Sequence, residues 1–301
     1  MNEFERWNDI LEIIKSALHV SDKDIKDITV LKKGMTNHSF LFTCNKQTYI
    51  MRIPGEGTSK LIHRNRECDV YSVIENYSIC DEIIYIDPEN GYKISKYWKD
   101  ARICNPNDFD DVKRCMEKLR CFHNRELKVE FTFDIFEQID FYESLWINEK
   151  SCYKDYEETK AGIFALKEYI DLQDKHWVLT HIDAVSDNFL FVPNEKGEEI
   201  RLVDWEYAGM QDACVDIAMF AIYAMYNEEQ IEQLINLYYL EGCDIKTRLK
   251  IYCYIAAGGL LWSNWCEYKR QLGIEFGKYS LQQYRYAKRY YEIFMEKMQN
   301  E

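Results

Sequence analysis

Eleven cysteines occur in the 301 residues, yet none are paired as Cys-x-x-Cys and the count is odd. Neither a disulfide framework nor a zinc site is expected, and reduced thiols in a cytoplasmic protein fit this usage. The opening, Met1-Asn2-Glu3-Phe4-Glu5-Arg6, lacks the basic region and apolar core of a signal peptide, and no later apolar run is long enough to span a bilayer. A cytoplasmic location without membrane insertion is therefore expected. Positive charge is in deficit: 38 Lys and Arg face 52 Asp and Glu, a net charge of −14. That balance repels nucleic acid and anionic membranes and favours cationic ligands, although an acidic surface also serves plain solubility. Repeats and low-complexity stretches are absent as well.

What is present reads as an α+β chain of two parts. Phe4, Trp7, Ile10, Leu11, Ile14 and Leu18 recur at helical spacing, so the chain opens with an amphipathic helix ending near Val20. Apolar segments at 28–31, 40–43 and 48–53, separated by polar turns, predict an antiparallel strand set. A helix is expected from about Ser59 to Tyr77, followed by strands at 83–86 and 92–95 around Asp87-Pro88-Glu89-Asn90-Gly91. Beyond residue 107 or so the pattern turns helical, interrupted by strand candidates at 177–180, 189–192 and 199–203. We place a small antiparallel-sheet lobe at 1–96 and a large, mainly helical lobe at 97–301.

The chemistry concentrates in Thr180-His181-Ile182-Asp183-Ala184-Val185-Ser186-Asp187-Asn188 and in Leu202-Val203-Asp204-Trp205-Glu206-Tyr207. The first has the His-x-Asp-x-x-x-x-Asn spacing of a kinase catalytic loop, and the second ends an apolar strand on an aspartate. Phosphoryl transfer needs this set: Asp183 to orient the acceptor hydroxyl and receive its proton, and Asn188 and Asp204 as hard oxygen ligands for Mg2+. Asp183 and Asn188 alone would pass for turn residues beside a strand; the second aspartate makes the pair specific. Upstream, Gly34, Thr36, Asn37, His38 and Ser39 lie between two strands, where amides and small side chains can close over the phosphates of ATP. Taken alone that stretch is an ordinary hairpin turn, since it is not G-x-G-x-x-G. Arg52 occupies an apolar strand where a kinase carries its phosphate-pairing lysine, and Glu67 on the next helix can orient it.

With these residues in order, the chain resembles the choline/ethanolamine kinase family, within the aminoglycoside phosphotransferase and protein-kinase-like superfamily. Ile182 replaces the arginine of a protein kinase His-Arg-Asp loop and Trp205-Glu206 replaces Phe-Gly, which argues against control by activation-loop phosphorylation. Met51-Arg52-Ile53, Asp204-Trp205-Glu206-Tyr207, Trp262-Ser263-Asn264-Trp265 and Glu275-Phe276-Gly277 are similar to stretches of choline kinases, in order over residues 28–291. The resemblance implies a protein-kinase-like fold and transfer of the γ-phosphate of ATP to choline, giving phosphocholine. It also implies an adenine hinge near Ser95 and Tyr97 and a protein that is a monomer or a homodimer. A quaternary ammonium donates no hydrogen bond and must be held by ring faces and carboxylates. Trp262 and Trp265 share a helix face, and Tyr207, Tyr223, Tyr226 and Phe276 are further candidates, with Glu206 as a negative wall. The same tryptophan pair can equally pack between helices. Ethanolamine, an aminoglycoside, or ligand binding without catalysis on a kinase-like scaffold are the alternatives.

Overall fold

The strand pattern of the first hundred residues folds against the opening helix. In the computed structural model, which describes residues 3–33, 37–55, 57–147 and 150–299, α1 spans Glu3–Leu18, β1 Ile25–Lys33, β2 Asn37–Cys44 and β3 Gln47–Pro54. The turn between β2 and β3 is only Asn45 and Lys46, both in the left-handed region at φ 51° and 67°. A two-residue hairpin requires that conformation, because its twist matches that of the flanking strands. Helix α2 (Arg64–Ile74), β4 (Ile83–Ile86) and β5 (Lys93–Lys96) follow, and the sheet runs antiparallel in the order β1-β2-β3-β5-β4. Ile10 and Ile14 of α1 pack on Phe40, Phe42, Met51 and Ile94, each burial stabilising by about 1.5–3 kcal/mol. Helix α2 starts later than its periodicity predicts. Residues 58–60 form a separate 3-10 turn, in which Thr58 Oγ1 donates to Gly55 O at 2.7 Å, and His63 stays extended ahead of α2.

The remaining elements are β6 (Arg102–Ile103), α3 (Phe109–His123), α4 (Ile135–Ser144), α5 (Tyr156–Leu172), β7 (Trp177–Thr180), β8 (Phe189–Asn194), β9 (Gly197–Leu202), β10 (Gly209–Asp212), α6 (Cys214–Tyr223), α7 (Glu228–Tyr238), α8 (Ile245–Gln271) and α9 (Lys278–Met298). Asp108, Asp134, Asn227 and Asp244 cap α3, α4, α7 and α8 by accepting from first-turn amides, typically worth about 1 kcal/mol each. Helix α8 is buried along most of its length. Its Gly259 permits close approach of α9: a Cβ there would lie 2.5 Å from the carbonyl oxygen of Gln283. Among the described residues no helix is long and apolar enough to cross a membrane. The chain divides into two compact units, Met1–Ala101 with Val192–Glu206, and Arg102–Phe191 with Tyr207–Glu301. The first unit thus also takes in 192–206, a segment that the sequence pattern assigns to the larger lobe.

Candidate active site

In the first unit, β3 carries Arg52 inward with only 5% exposure, opposite Ser39 on β2 and Lys93 on β5. Its Nη2 donates to both oxygens of Glu67, at 2.6 Å each, and its Nη1 to Oδ1 of Asp204 at 2.6 Å. Glu206 lies farther from Arg52, 3.5 Å from Nη1, and instead accepts from Arg64 Nη1 and Asn37 Nδ2, both at 2.9 Å. Lys93 Nζ adds a charge 3.5 Å from Glu67 and donates to Tyr71 OH at 2.7 Å. Burial alone would push the Glu67 carboxyl up, but Arg52, Lys93 and Arg64 outweigh it and hold it below the ordinary carboxylate range. Burial works against the charge on Arg52 too, and Glu67, Asp204 and Glu206 more than compensate, keeping the guanidinium charged. Glu206 goes the other way: burial and the neighbouring Asp204 charge raise it, opposed by Arg52 and Arg64. Asp204 itself stands at φ 68°, a costly conformation for a non-glycine residue that surrounding contacts must hold.

In the second unit, β7 delivers the chain to the loop of Asp183. Thr180 closes the strand by donating from Oγ1 to Gly209 O at 2.8 Å, and β10 pairs antiparallel with β7 from Gly209↔Thr180 to Asp212↔Trp177. The loop then hangs on one buried carboxylate. Asp216, in the first turn of α6, accepts the backbone N–H of His181 on Oδ2 at 2.9 Å and that of Ile182 on Oδ1 at 2.7 Å. Ile182 sits at φ 67°, unusual for a β-branched residue, and the Asp216 contact holds it there. His123 Nε2 lies 2.9 Å from the same carboxylate and its Nδ1 lies 2.7 Å from Tyr238 OH. Asn188 Nδ2 donates to Asp183 O at 2.9 Å and Asp183 Oδ2 at 3.1 Å, so the loop fixes both residues against each other.

Aromatic rings follow in the same unit. Tyr207 meets Trp262 edge-on at 5.4 Å, Trp262 meets Trp265 at 6.1 Å, and Trp265 meets Phe276 at 5.0 Å between centroids. The four rings are therefore a connected series. Tyr223 contacts Tyr279 at 6.0 Å, and both phenols are pushed up, chiefly by burial and then by nearby groups including Asp183; Asp187 also hydrogen bonds Tyr223. The Asp183 charge is thus felt at both phenols. Trp262 Nε1 donates to Met219 Sδ at 3.0 Å, and Lys269 places its ammonium 5.6 Å from the Trp265 centroid, a cation-to-ring contact internal to the chain.

Other expected residues fall elsewhere. Glu206, expected as a negative wall for the substrate, has a side chain only 2% exposed and is engaged with Arg64. Asn37, expected over the phosphates, is engaged with Glu206. Tyr226 gives its hydroxyl to the Pro106 carbonyl and its ring contacts Phe220. Ser95 is buried in β5, and the Tyr97 amide donates to Thr48 O at 3.1 Å, so that donor is already committed. His38 and Ser39 lie on β2, paired with Ile53 and Arg52, while Gly34 and Thr36 fall outside the described residues. Sequence reasoning passed over Arg64, Lys93, His123 and Asp216. For Asp216 a signal existed: it is the single charge in Cys214-Val215-Asp216-Ile217-Ala218-Met219-Phe220, and a charge in an apolar helix needs a partner.

Oxygen donors for a magnesium ion remain in both units. The Asn188 nitrogen is used inside its loop, which leaves the amide oxygen as its ligating atom. Asp204 has one oxygen on Arg52 and a side chain 33% exposed. Both are hard ligands of the kind that Mg2+ takes alongside phosphates and water.

Comparison with known proteins agrees with this chemistry. The family profile described as choline/ethanolamine kinase matches residues 28–257. The LicA protein of Haemophilus influenzae is 26% identical over 263 residues, covering 82% of this chain and 75% of that one. Among solved structures, the choline kinase LicA from Streptococcus pneumoniae is similar at a TM-score of 0.82 and 27% identity, with 96% of this chain and 99% of that chain covered. LicA in complex with AMP follows at 0.81 and 26%, covering 94% and 98%. An ethanolamine kinase from Plasmodium vivax, at 17% identity and a TM-score of 0.76 over 96% and 89% of the two chains, shares the kinase-like fold.

Proposed function

This chain belongs to the choline/ethanolamine kinase family, and from that premise we propose that it transfers the γ-phosphate of ATP to the hydroxyl of choline. The products are phosphocholine and ADP. The observation that supports this reading is that one unit holds both the loop in which Asn188 pins Asp183 and the connected rings Tyr207, Trp262, Trp265 and Phe276. A carboxylate serves the alcohol end of choline, and ring faces serve its trimethylammonium end.

Asp183 orients the hydroxyl and takes its proton as the new oxygen–phosphorus bond forms and the bond to the ADP oxygen breaks. The transition state is loose, so positioning of the hydroxyl counts for more than proton abstraction. Asn188 keeps the Asp183 carboxylate in place through its amide. Arg52, fixed by Glu67, supplies positive charge for the nucleotide phosphates. Asn188 and Asp204 each offer a hard oxygen of the kind magnesium takes, and the ion would neutralise phosphate charge when bound. The AMP complex of a 26% identical relative supports use of an adenine nucleotide.

Ethanolamine is the second reading, and one observation favours it: Asp187, hydrogen bonded to Tyr223, offers a carboxylate that a primary ammonium can use and a quaternary one meets only through charge. ATP turnover with magnesium over choline, ethanolamine and an aminoglycoside tests both. Choline is expected to give the highest kcat/KM. Folded protein without choline-stimulated ADP release rules the leading assignment out, and preference for ethanolamine replaces it with the second.

A further inference from the structure

Arg64 has no part in the phosphotransfer described above, yet it reaches two buried carboxylates of the first unit. Its Nη1 donates to Glu206 Oε2 at 2.9 Å and to Glu67 Oε2 at 3.2 Å, and its side chain is 7% exposed. Room for its stem is built into the chain. A Cβ at Gly91 would stand 2.5 Å from both Cδ and Nε of Arg64. Its other terminal nitrogen, Nη2, is a buried donor without a partner among the described residues.

We infer that Arg64 is a positioning residue for nucleotide binding: it neutralises Glu206 so that Nη1 of Arg52 stays with Asp204. The competition is visible in the distances. Arg52 Nη1 reaches Asp204 at 2.6 Å and Glu206 at 3.5 Å, while the Glu206 carboxylate is held at 2.9 Å by Arg64 and by the neutral amide of Asn37. Without Arg64, Glu206 becomes a buried carboxylate whose nearest cation is Arg52, and a buried charge left unpaired attracts whatever cation it can reach. Arg52 then turns from Asp204 towards Glu206. Both the guanidinium and the Asp204 carboxylate leave the arrangement that serves the phosphates. Glu67 is affected less, because Arg52 Nη2 and Lys93 still hold it.

This inference rests on the nucleotide role proposed for Arg52 and Asp204, and the experiment keeps the two apart. The full chain and its Arg64→Met, Glu206→Gln and double variants are titrated calorimetrically with a non-hydrolysable ATP analogue and magnesium, alongside melting temperatures and the KM for choline. Arg64→Met is expected to weaken the analogue about tenfold, as for uncoupling residues of one ion-pair network, with the choline KM within about twofold in the same comparison. Adding Glu206→Gln should recover most of that loss, since no carboxylate then competes for Arg52. An unchanged affinity, or a loss that Glu206→Gln leaves in place, overturns the role. Should Arg64→Met fail to fold alone, Glu206→Gln with and without Arg64→Met carries the test: affinities within about twofold are expected, and a further tenfold loss, on the order of 1.4 kcal/mol, overturns it. Wild-type protein that binds the analogue but phosphorylates no amine alcohol removes the acceptor assignment and leaves Arg64 standing; one that binds no nucleotide removes both.

Discussion

In the first unit the charged groups around Asp204 are held by one another, whereas in the second the loop of Asp183 is held by Asp216, a residue buried beneath it. Arg52, Glu67, Asp204, Glu206 and Arg64 form one network with contacts of 2.6 to 3.5 Å. Removing any one takes a partner from at least one other. Asp216 instead grips two backbone amides, of His181 and Ile182, so the Asp183 carboxylate can be altered without loosening what supports it. Function and support are merged in one unit and separable in the other.

The strongest way to break that contrast is at Asp183. Asp183→Ala is expected to lower kcat by about a thousandfold, within the range for loss of a general base, with ATP affinity and melting temperature close to wild type. A loss of nucleotide binding of the same size would mean that chemistry and support are merged here as well. Asp216→Ala should come next, and should fail in both respects. It strands two buried amides and removes one of the two partners of His123, costing about 3 kcal/mol or more at roughly 1–3 kcal/mol per unsatisfied group. Denaturant unfolding measures that cost. Its kcat should fall about a hundredfold because Ile182 is no longer held at positive φ, and a misplaced catalytic group costs that much. Normal stability with low kcat would make Asp216 a participant in catalysis instead of a support.

How far these parts could be read from residues follows the same division. The contact of Asn188 with Asp183 was legible because it lies in short-range spacing, and β1 to β5 because alternation and turn residues are local signals. The pairs Arg52–Asp204 and Arg64–Glu206 join residues 152 and 142 positions apart, and nothing local announces such a partner. Strand β10 was missed for a different reason. Gly209-Met210-Gln211-Asp212 has no β-branched residue and no alternation, with all four positions buried; pairing with β7 makes it a strand, so tertiary context overrides propensity. Glu206 illustrates the remaining gap, since a carboxylate beside a tyrosine reads as a substrate contact until its ion pair with Arg64 is seen.

Merging in the first unit is sharpened at Glu67. Glu67→Gln keeps the shape and removes the charge, leaving Arg52 with Asp204 and Glu206 as its carboxylates. Arg52 is expected to shift towards them, raising the ATP KM by about tenfold, the scale of coupling within a contacting network. Steady-state kinetics at saturating choline gives that value. An unchanged ATP KM would show that Arg52 is held well enough by the other carboxylates, and the network would be less interdependent than its geometry implies.

The smallest expected effect separates the two tryptophans. Trp265 already has the Lys269 ammonium 5.6 Å from its ring centroid, and a second cation at that ring would meet the repulsion of the first. Trp262 instead faces Tyr207 edge-on and gives its N–H to Met219, with no such charge on its ring among the described residues. If the rings hold the trimethylammonium group, Trp262→Phe should raise the choline KM by about threefold to tenfold, since a cation-to-ring contact contributes about 0.5–2 kcal/mol and Phe retains only part of it. Trp265→Phe should raise it less. The ATP KM should stay unchanged in both, because these rings belong to the second unit, while Arg52, proposed to serve the nucleotide, and its partner Glu67 belong to the first. Equal effects of the two substitutions on melting temperature, with no change in choline KM, would assign the pair to packing between helices and move the ammonium site towards Tyr223 and Tyr279.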